Sequence, residues 1–377
     1  MHPRLLFICA LISLFGGSTA LTAWALSYGS RHRILDLPQA RSSHTVPTPR
    51  GGGAGLVITF LMFVLFAGWR AVIDARLAAA LVGGGFAVAL TGALDDRFKL
   101  PARFRIAIHF LASIWALWML RGAPPLYLGW AVWNWGWIGD LVCLIGIAWM
   151  INLYNFMDGI DGLAGLEAIC ASMLSALLLA RSGLEGLSQS ALMLAAASAG
   201  FLVWNWSPAK VFMGDVGSGF LGFVFGVLAV SSAKQRPWLL WPWLILLSVF
   251  IVDASLTLMR RLVSGKQWYQ AHRSHAYQHA AKRWGSHSKV TLMIAAVNAA
   301  WLFPLAWGAC IWPAAGSLFA LVAIVPLVYT ASRYDAGREA PAAEVTLSAE
   351  EQEPYARLTA FEGDDAESGK FAAKAGR

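Results

Sequence analysis

Apolar runs close to twenty residues long limit this chain more than any other feature. A helix needs about 20 predominantly apolar residues to cross the hydrocarbon core of a bilayer, where backbone groups find no water and must pair internally. Eleven stretches approach or reach that length: 4–27, 55–69, 77–94, 106–121, 134–153, 163–181, 188–206, 217–232, 238–259, 290–311 and 313–331. The 377 residues would suffice for two or three soluble domains, but 58% are hydrophobic and only 13% charged. A soluble surface ordinarily carries about 25% charge. The expected fold class is an all-α polytopic membrane protein with about 11 transmembrane helices. Disorder of the main body, collagen and disulfide scaffolds are excluded by the same composition. Cys9, Cys143, Cys170 and Cys310 are widely spaced in apolar runs and form no C-x-x-C pair or metal-ligand cluster. They are expected to be small buried apolar groups.

The second stretch is short, and the glycines of 51–55 could extend it. The Trp-rich segment 130–137, which overlaps the fifth, suits a membrane interface as well as a span. Residues 1–27 have the form of a signal peptide, but ten further spans favour an uncleaved first helix. Ten of the 21 acidic residues follow residue 332, in an Ala-, Glu- and Gly-rich tail. Such a tail buries too little apolar surface to offset its chain entropy. Two regions are therefore expected: a membrane domain over 1–332 and a disordered acidic tail over 333–377. With eleven spans, the loops 28–54, 95–105, 154–162, 207–216 and 260–289 share one side and hold sixteen Lys and Arg; the opposite loops and the N-terminus hold seven. The positive-inside rule assigns the basic side, and with it the tail, to the cytoplasm.

Acids in the membrane domain are scarce, and five of them sit at expected cytoplasmic helix ends: Asp95, Asp96, Asp158, Asp161 and Asp215. Carboxylates are costly near a bilayer and mark functional sites by default. Adjacent Asp95 and Asp96 repel unless a cation or proton lies between them. In Asn155-Phe156-Met157-Asp158-Gly159-Ile160-Asp161-Gly162, the two aspartates would share a face if the segment were helical. Asp215 in Phe212-Met213-Gly214-Asp215 precedes a helix whose small residues 217–219 could offer N–H groups to a phosphate; the same Asp215 would equally serve as an N-cap. The loop 260–289 adds His272-Arg273-Ser274-His275, Arg260-Arg261 and Lys282-Arg283, and the loop 36–53 adds Arg41 and Arg50 among prolines and glycines. Basic loops suit phosphate groups. With the carboxylates they suggest Mg²⁺-assisted chemistry on a phosphate compound, since Mg²⁺ favours one or two carboxylates plus substrate phosphates.

At these residues the chain resembles the polyprenyl-phosphate N-acetylhexosamine-1-phosphate transferases, glycosyltransferase family 4 of the MraY/WecA type. The matching blocks are Asp36-x-Pro38 with Arg41-Ser42-x-His44, Pro47-x-Pro49-Arg50-Gly51-Gly52, Asp95-Asp96, NFMDGIDG at 155–162, FMGD at 212–215, and His272-Arg273-x-His275. They occur in the family's order from about residue 30 to 290. The resemblance implies transfer of a sugar 1-phosphate from a UDP-linked amino sugar to undecaprenyl phosphate, releasing UMP. HRxHxYQ resembles the branch that initiates O-antigen or other surface glycans. By the same resemblance Asp215, with Asp158, would hold Mg²⁺, with Mn²⁺ as an alternative. Asp95 and Asp96 would lie at the lipid-phosphate and metal site. Asn155, Asp158 and Asp161 would hold nucleotide, diphosphate or metal-bound water. His272, Arg273 and His275 would meet the donor diphosphate or sugar, and Arg41 and Arg50 further phosphates. The implied location is a bacterial inner membrane with the site on its cytoplasmic face. The partners are membrane lipid and the two substrates, with no nucleic acid; a homodimer and the donor's identity are left open.

A transporter of an anionic lipid or sugar nucleotide is the competing class. It would rest on mid-span ionisable groups, for which Asp253, Asp140 and His109 are the candidates. A non-catalytic scaffold would leave the five aspartates without a purpose.

Overall fold

The computed structural model describes residues 3–32, 34–36, 46–265 and 273–338. Arg41, His272 and the acidic tail from 339 onward lie outside the described residues. All eleven apolar stretches are helical. The first eight form α1 (Pro3–Arg31), α2 (Gly53–Trp69), α3 (Ala75–Phe98), α4 (Ala102–Leu120), α5 (Gly136–Met157), α6 (Leu163–Arg181), α7 (Glu185–Asn205) and α8 (Asp215–Gln235). The ninth is broken into α9 (Leu240–Leu246) and α10 (Ser248–Val263). A short α11 (Ala276–Trp284) precedes α12 (His287–Val297), which passes through a π-helical turn at Asn298–Leu302 into α13 (Phe303–Ile311); α14 (Gly316–Arg333) follows. Two-residue antiparallel ladders pair β1 (Leu35–Asp36) with β2 (Thr48–Pro49) and β3 (Leu126–Tyr127) with β4 (Val132–Trp133). Among the described residues nine helices are long and apolar enough to cross a membrane, or ten if the pair α9–α10 is one span; α2, at 17 residues, is shorter. The protein is a multi-pass membrane protein.

α8 is the centre of the bundle. Its most apolar window is 94% buried, against 17% for α1 and 22% for the last span. α3, α5 and α2 surround it, while α6, α7 and α1 form a neighbouring layer. Lipid tails are as apolar as leucine, so helix association in a membrane depends on close packing rather than on the hydrophobic effect. Small residues on α8 and its neighbours permit it. Gly222 packs against the carbonyl of Met150 in α5, and Gly92 of α3 packs against the backbone of Asp215 and Val216; a Cβ fits at neither. Phe220 meets Phe60 edge to face with centroids 5.7 Å apart, and Phe225 stacks on Tyr154 at 5.4 Å.

Several expectations need revision. The ninth stretch bends by 73° at Leu247, so 238–259 is two helices rather than one. The fifth helix starts at Gly136, and the Trp-rich stretch before it contributes the β3–β4 hairpin, with Trp130 and Trp133 exposed. Cys9 is exposed and Cys143, Cys170 and Cys310 are half-buried, so the buried-cysteine expectation fails; all four are free thiols. α1 is packed into the bundle, where Ser18 Oγ donates to Ala197 O at 2.7 Å. The packed chain also runs past residue 332: Gly337 N donates to Ser274 O at 2.6 Å and Arg260 Nη1 to Ala336 O at 2.9 Å.

Candidate active site

Three helix ends from distant parts of the chain meet at one end of the bundle. α3 finishes there with Asp95 and Asp96, α5 finishes beside Asp158, and α8 starts with Asp215 after Gly214, whose φ of +73° turns the chain into the helix. The loop ahead of α2 is tied in by backbone bonds: Phe212 N donates to Pro49 O at 2.8 Å and Gly52 N to Phe212 O at 2.9 Å. Arg50 is thereby held over the aspartates.

Asp96 points at the start of α8. Its carboxylate accepts the N–H of Asp215 at 3.1 Å and of Val216 at 3.3 Å, and Arg50 Nη1 stands 3.9 Å away. A helix N-terminus carries unpaired donors and partial positive charge, and a carboxylate satisfies both. This revises two sequence expectations. The first donors of α8 are taken by Asp96 instead of being open to a phosphate, while Gly217 N and Ser218 N return to Gly214 O. The N-cap position belongs to Gly214, with Asp215 as the first helical residue.

Arg105, in the first turn of α4, joins the other two carboxylates. Its Nη1 is 2.6 Å from Asp95 Oδ2 and 3.1 Å from Asp215 Oδ2, and Asp95 Oδ1 accepts Leu100 N at 2.6 Å. Two carboxylates thus reach one cationic nitrogen. Sequence reasoning counted Arg105 among the basic loop residues without giving it a site role; a pairing across 110 positions leaves no local signal. Arg50 also lies 3.3 Å from Asp36, and the surrounding carboxylates outweigh the burial that opposes its charge.

Asp158 and Asp161 do not share a helical face. Residues 158–162 form a turn between α5 and α6, with Gly162 at φ +74°. Burial, then repulsion from Asp215, pushes the Asp158 carboxyl well above its ordinary range, against the pull of Arg50. Asp161 behaves oppositely. Burial disfavours its charge, but His287 and then the Ala209 N–H and Ser207 hydroxyl outweigh it, holding the carboxyl below the usual range. His287 Nδ1 lies 3.2 Å from Asp161 Oδ2, and Ala209 N donates to that oxygen at 3.3 Å. His287 is a further site residue the sequence reading missed. Asn155 occupies the last turn of α5, half-buried, and its carbonyl accepts Asp158 N at 3.3 Å.

Next to Asp161 opens a cleft of about 450 Å³, lined by Ser207, Arg273, Gln278, Lys282, Ser286 and His287 among others. His275 is buried to the side of it. Its Nδ1 lies 3.3 Å from Asp253 Oδ1, and the Asp253 carboxylate also accepts Ala276 N and Tyr277 N, each at 2.9 Å. Asp253, one of the three mid-span candidates for a transport relay, thus anchors the start of α11. Tyr277 Oη donates to Phe156 O at 2.9 Å and fastens α11 to α5. His109 Nδ1 is 3.2 Å from Asn152 Nδ2, and Asp140 Oδ1 accepts Ala123 N at 2.7 Å at the far end of the bundle. Among the described residues no group of three or more Asp, Glu, His or Cys side chains is placed to hold a metal ion. The donors present are carboxylates in pairs.

The model of the family described as "Glycosyl transferase family 4" matches residues 78–233, which contain Asp95, Asp96, Asn155, Asp158, Asp161 and Asp215. A probable undecaprenyl-phosphate N-acetylglucosaminyl 1-phosphate transferase of Bacillus subtilis is 28% identical over 296 residues, covering 76% of this chain and 79% of the relative. A decaprenyl-phosphate N-acetylglucosaminephosphotransferase of Mycolicibacterium smegmatis is 29% identical over 309 residues, 72% of this chain and 75% of the relative. An undecaprenyl-phosphate alpha-N-acetylglucosaminyl 1-phosphate transferase of Escherichia coli is 28% identical over 307 residues, 78% of this chain and 81% of the relative. The aspartate blocks gathered at one end of the bundle thus fall within the segment similar to glycosyl transferase family 4, and the chain is similar to these transferases over most of its length.

Proposed function

We propose that this protein transfers an N-acetylhexosamine 1-phosphate from a UDP-sugar to undecaprenyl phosphate, releasing UMP and forming a lipid-linked pyrophosphoryl sugar that starts O-antigen or another surface polysaccharide. The observation that carries the reading is the convergence of Asp95, Asp96 and Asp215 with Arg105 and Arg50 at one helix-end cluster. An oxygen of the lipid phosphate attacks the phosphorus on the sugar side of the donor diphosphate. The P–O bond to UMP breaks, and UMP leaves with its electron pair. Phosphoryl transfer of this kind depends on alignment and charge neutralisation more than on covalent help.

Mg²⁺, or Mn²⁺ in its place, fits the donor set as a partial site. Asp95 and Asp215 already reach one cationic nitrogen, and Mg²⁺ typically takes one or two carboxylates with substrate phosphates and water completing the shell. Asp215 and Asp158 would hold the ion, which supplies positive charge to the departing diphosphate oxygen. Asp96 braces the α8 start on which Asp215 sits. Arg105 and Arg50 attract phosphate oxygens and offset part of the repulsion among the crowded carboxylates. Asp95 or Asp96 accepts any proton left on the incoming monoester, whose second pKa near 6 makes a strong base unnecessary. The basic cleft beside Asp161 suits the donor, with Arg273, Lys282 and His287 toward its diphosphate. The basic loops support a cytoplasmic orientation in a bacterial inner membrane.

The test is purified protein in lipid with undecaprenyl phosphate, Mg²⁺ and a panel of UDP-GlcNAc, UDP-GalNAc and UDP-linked 6-deoxy amino sugars, scored by UMP release. Turnover with one donor and its loss on chelation support the proposal. No UMP from any donor would defeat it.

A further inference from the structure

The Glu167 carboxyl belongs to neither the aspartate cluster nor the far-end caps. Glu167, on the second turn of α6, is 1% exposed, and among the described residues no cation is a charge partner to it. Its Oε2 accepts Asn298 Nδ2 at 2.6 Å, a bond between residues 131 positions apart. Asn298 is fully buried and opens the π-helical turn that follows α12. π-helical turns are uncommon and recur at functional sites. A carboxyl in a membrane interior is costly enough to need a reason.

The other end of α12 gives that reason. The helix begins at His287, which meets the Asp161 carboxylate at 3.2 Å, and one turn on Thr291 Oγ1 donates to Asp161 O at 3.2 Å. α12 is therefore fastened to the α5–α6 turn at its start and to α6 at its finish. These contacts at both ends set the axial register of α12 against α6. His287 and Ser286 also line the donor cleft, so that register sets the position of one cleft wall. Glu167 Oε1, Asn298 Oδ1 and Tyr154 Oη are buried without protein hydrogen-bond partners, and Tyr154, next to Asn155, is within electrostatic range of Glu167.

We infer that Glu167 is a positioning residue: by gripping Asn298 it fixes α12 against α6 and holds His287 on Asp161 at the wall of the donor cleft. This rests on the donor cleft proposed above. Groups that orient ligand-contacting residues typically cost 10–100-fold when removed. Glu167→Leu deletes the grip without adding a polar group; Glu167→Gln keeps an acceptor for the Asn298 amide.

Steady-state kinetics in lipid nanodiscs would vary donor UDP-sugar and undecaprenyl phosphate separately, for wild type, Glu167→Leu, Glu167→Gln, Asn298→Leu and the double Leu variant. The expected result is a donor KM raised about tenfold in each single Leu variant. The lipid KM stays within twofold, the double variant is no worse than either single one, and Glu167→Gln returns near wild type. A purely structural role would lower the yield of folded protein and leave both KM values alone; that result overturns the inference. So does equal damage from Glu167→Gln and Glu167→Leu. If Glu167→Leu does not accumulate, Asn298→Leu and Glu167→Gln alone decide between these outcomes. A wild-type protein that turns over no donor defeats the proposed function itself and removes the inference with it, an outcome distinct from active enzyme with unchanged donor KM.

Discussion

The two ends of the bundle use charge differently. At the far end, Asp74, Asp140 and Lys234 serve the backbone. Asp74 caps α3 through Arg76 N and Leu77 N at 2.9 and 3.0 Å, Asp140 accepts Ala123 N, and Lys234 Nζ donates to the carbonyls of Arg121 and Gly122 at 2.7 and 3.1 Å. Arg70, Arg181 and Arg236 there lie over indoles, Arg181 at 5.2 Å from the Trp307 ring. At the cluster end, charged side chains meet one another: Arg105 spans Asp95 and Asp215, and Arg50 spans Asp36 and Asp96. Backbone caps stabilise helix ends and are complete in themselves. Carboxylates held together around cations remain able to exchange a protein cation for a metal or a phosphate. The contrast separates residues that finish a helix from residues that await a ligand.

The sharpest way to break this contrast is to neutralise one group at each end. Asp215→Asn is expected to cut UMP release by about 10³-fold, of the order lost when a preorganised charge-stabilising group is removed. Detergent solubility and elution volume should match wild type; normal turnover would refute the metal assignment. Asp96→Ala should damage both activity and fold, because the carboxylate closes the start of α8. Loss of a cap costs about 0.5–2 kcal/mol, readable as a lower unfolding temperature in a thermal-shift assay, with Asp96→Asn keeping part of it.

A third prediction concerns pH. Burial and Asp215 hold the Asp158 carboxyl above its usual range, so a cation binding there competes with a proton. The sign follows: as pH falls the proton competes better, and the apparent Mg²⁺ affinity weakens, by about tenfold per unit where one proton leaves per ion. Titrating Mg²⁺ at pH 6, 7 and 8 reads this directly, and Asp158→Asn should flatten the slope. The smallest effect belongs to the far end. Lys234→Met should leave turnover within twofold and lower stability by about 1 kcal/mol, the scale of a lost hydrogen bond. A large kinetic effect there would erase the distinction between the ends.

Much of this architecture was readable before any coordinates. An apolar run is a helix in a bilayer whatever its neighbours do, so all eleven stretches were found. Asp95, Asp96, Asp158 and Asp215 stood out because carboxylates are rare in such a chain, and the structure brings them together. Asp158 and Asp161 were read as possible helical neighbours because three-residue spacing carries no information about the glycines' backbone angles, and Gly162 at φ +74° ends that option. Arg105, His287 and Glu167 went unassigned for another reason. Arg105 reaches Asp95 ten positions away but Asp215 across 110, and the partners of His287 and Glu167 lie 126 and 131 positions away; only the folded chain reveals which of many basic or polar residues arrives. The break at Leu247 was missed because the apolar pattern continues across it.

The glycine contacts around α8 have a mechanical meaning as well. A machine that alternately exposes a cargo to two compartments requires a seam through its middle along which two halves can rock. Here the middle is an axle: Gly222 is set against a carbonyl of α5 and Gly92 against the first residues of α8 itself, with backbone touching backbone on two sides. Surfaces interlocked at that distance cannot slide without prising the core apart. The loosest packing lies at the rim, in the bent α9–α10 pair and in α14, whose most apolar window is only 22% buried, while the aspartates stay fixed to the hub.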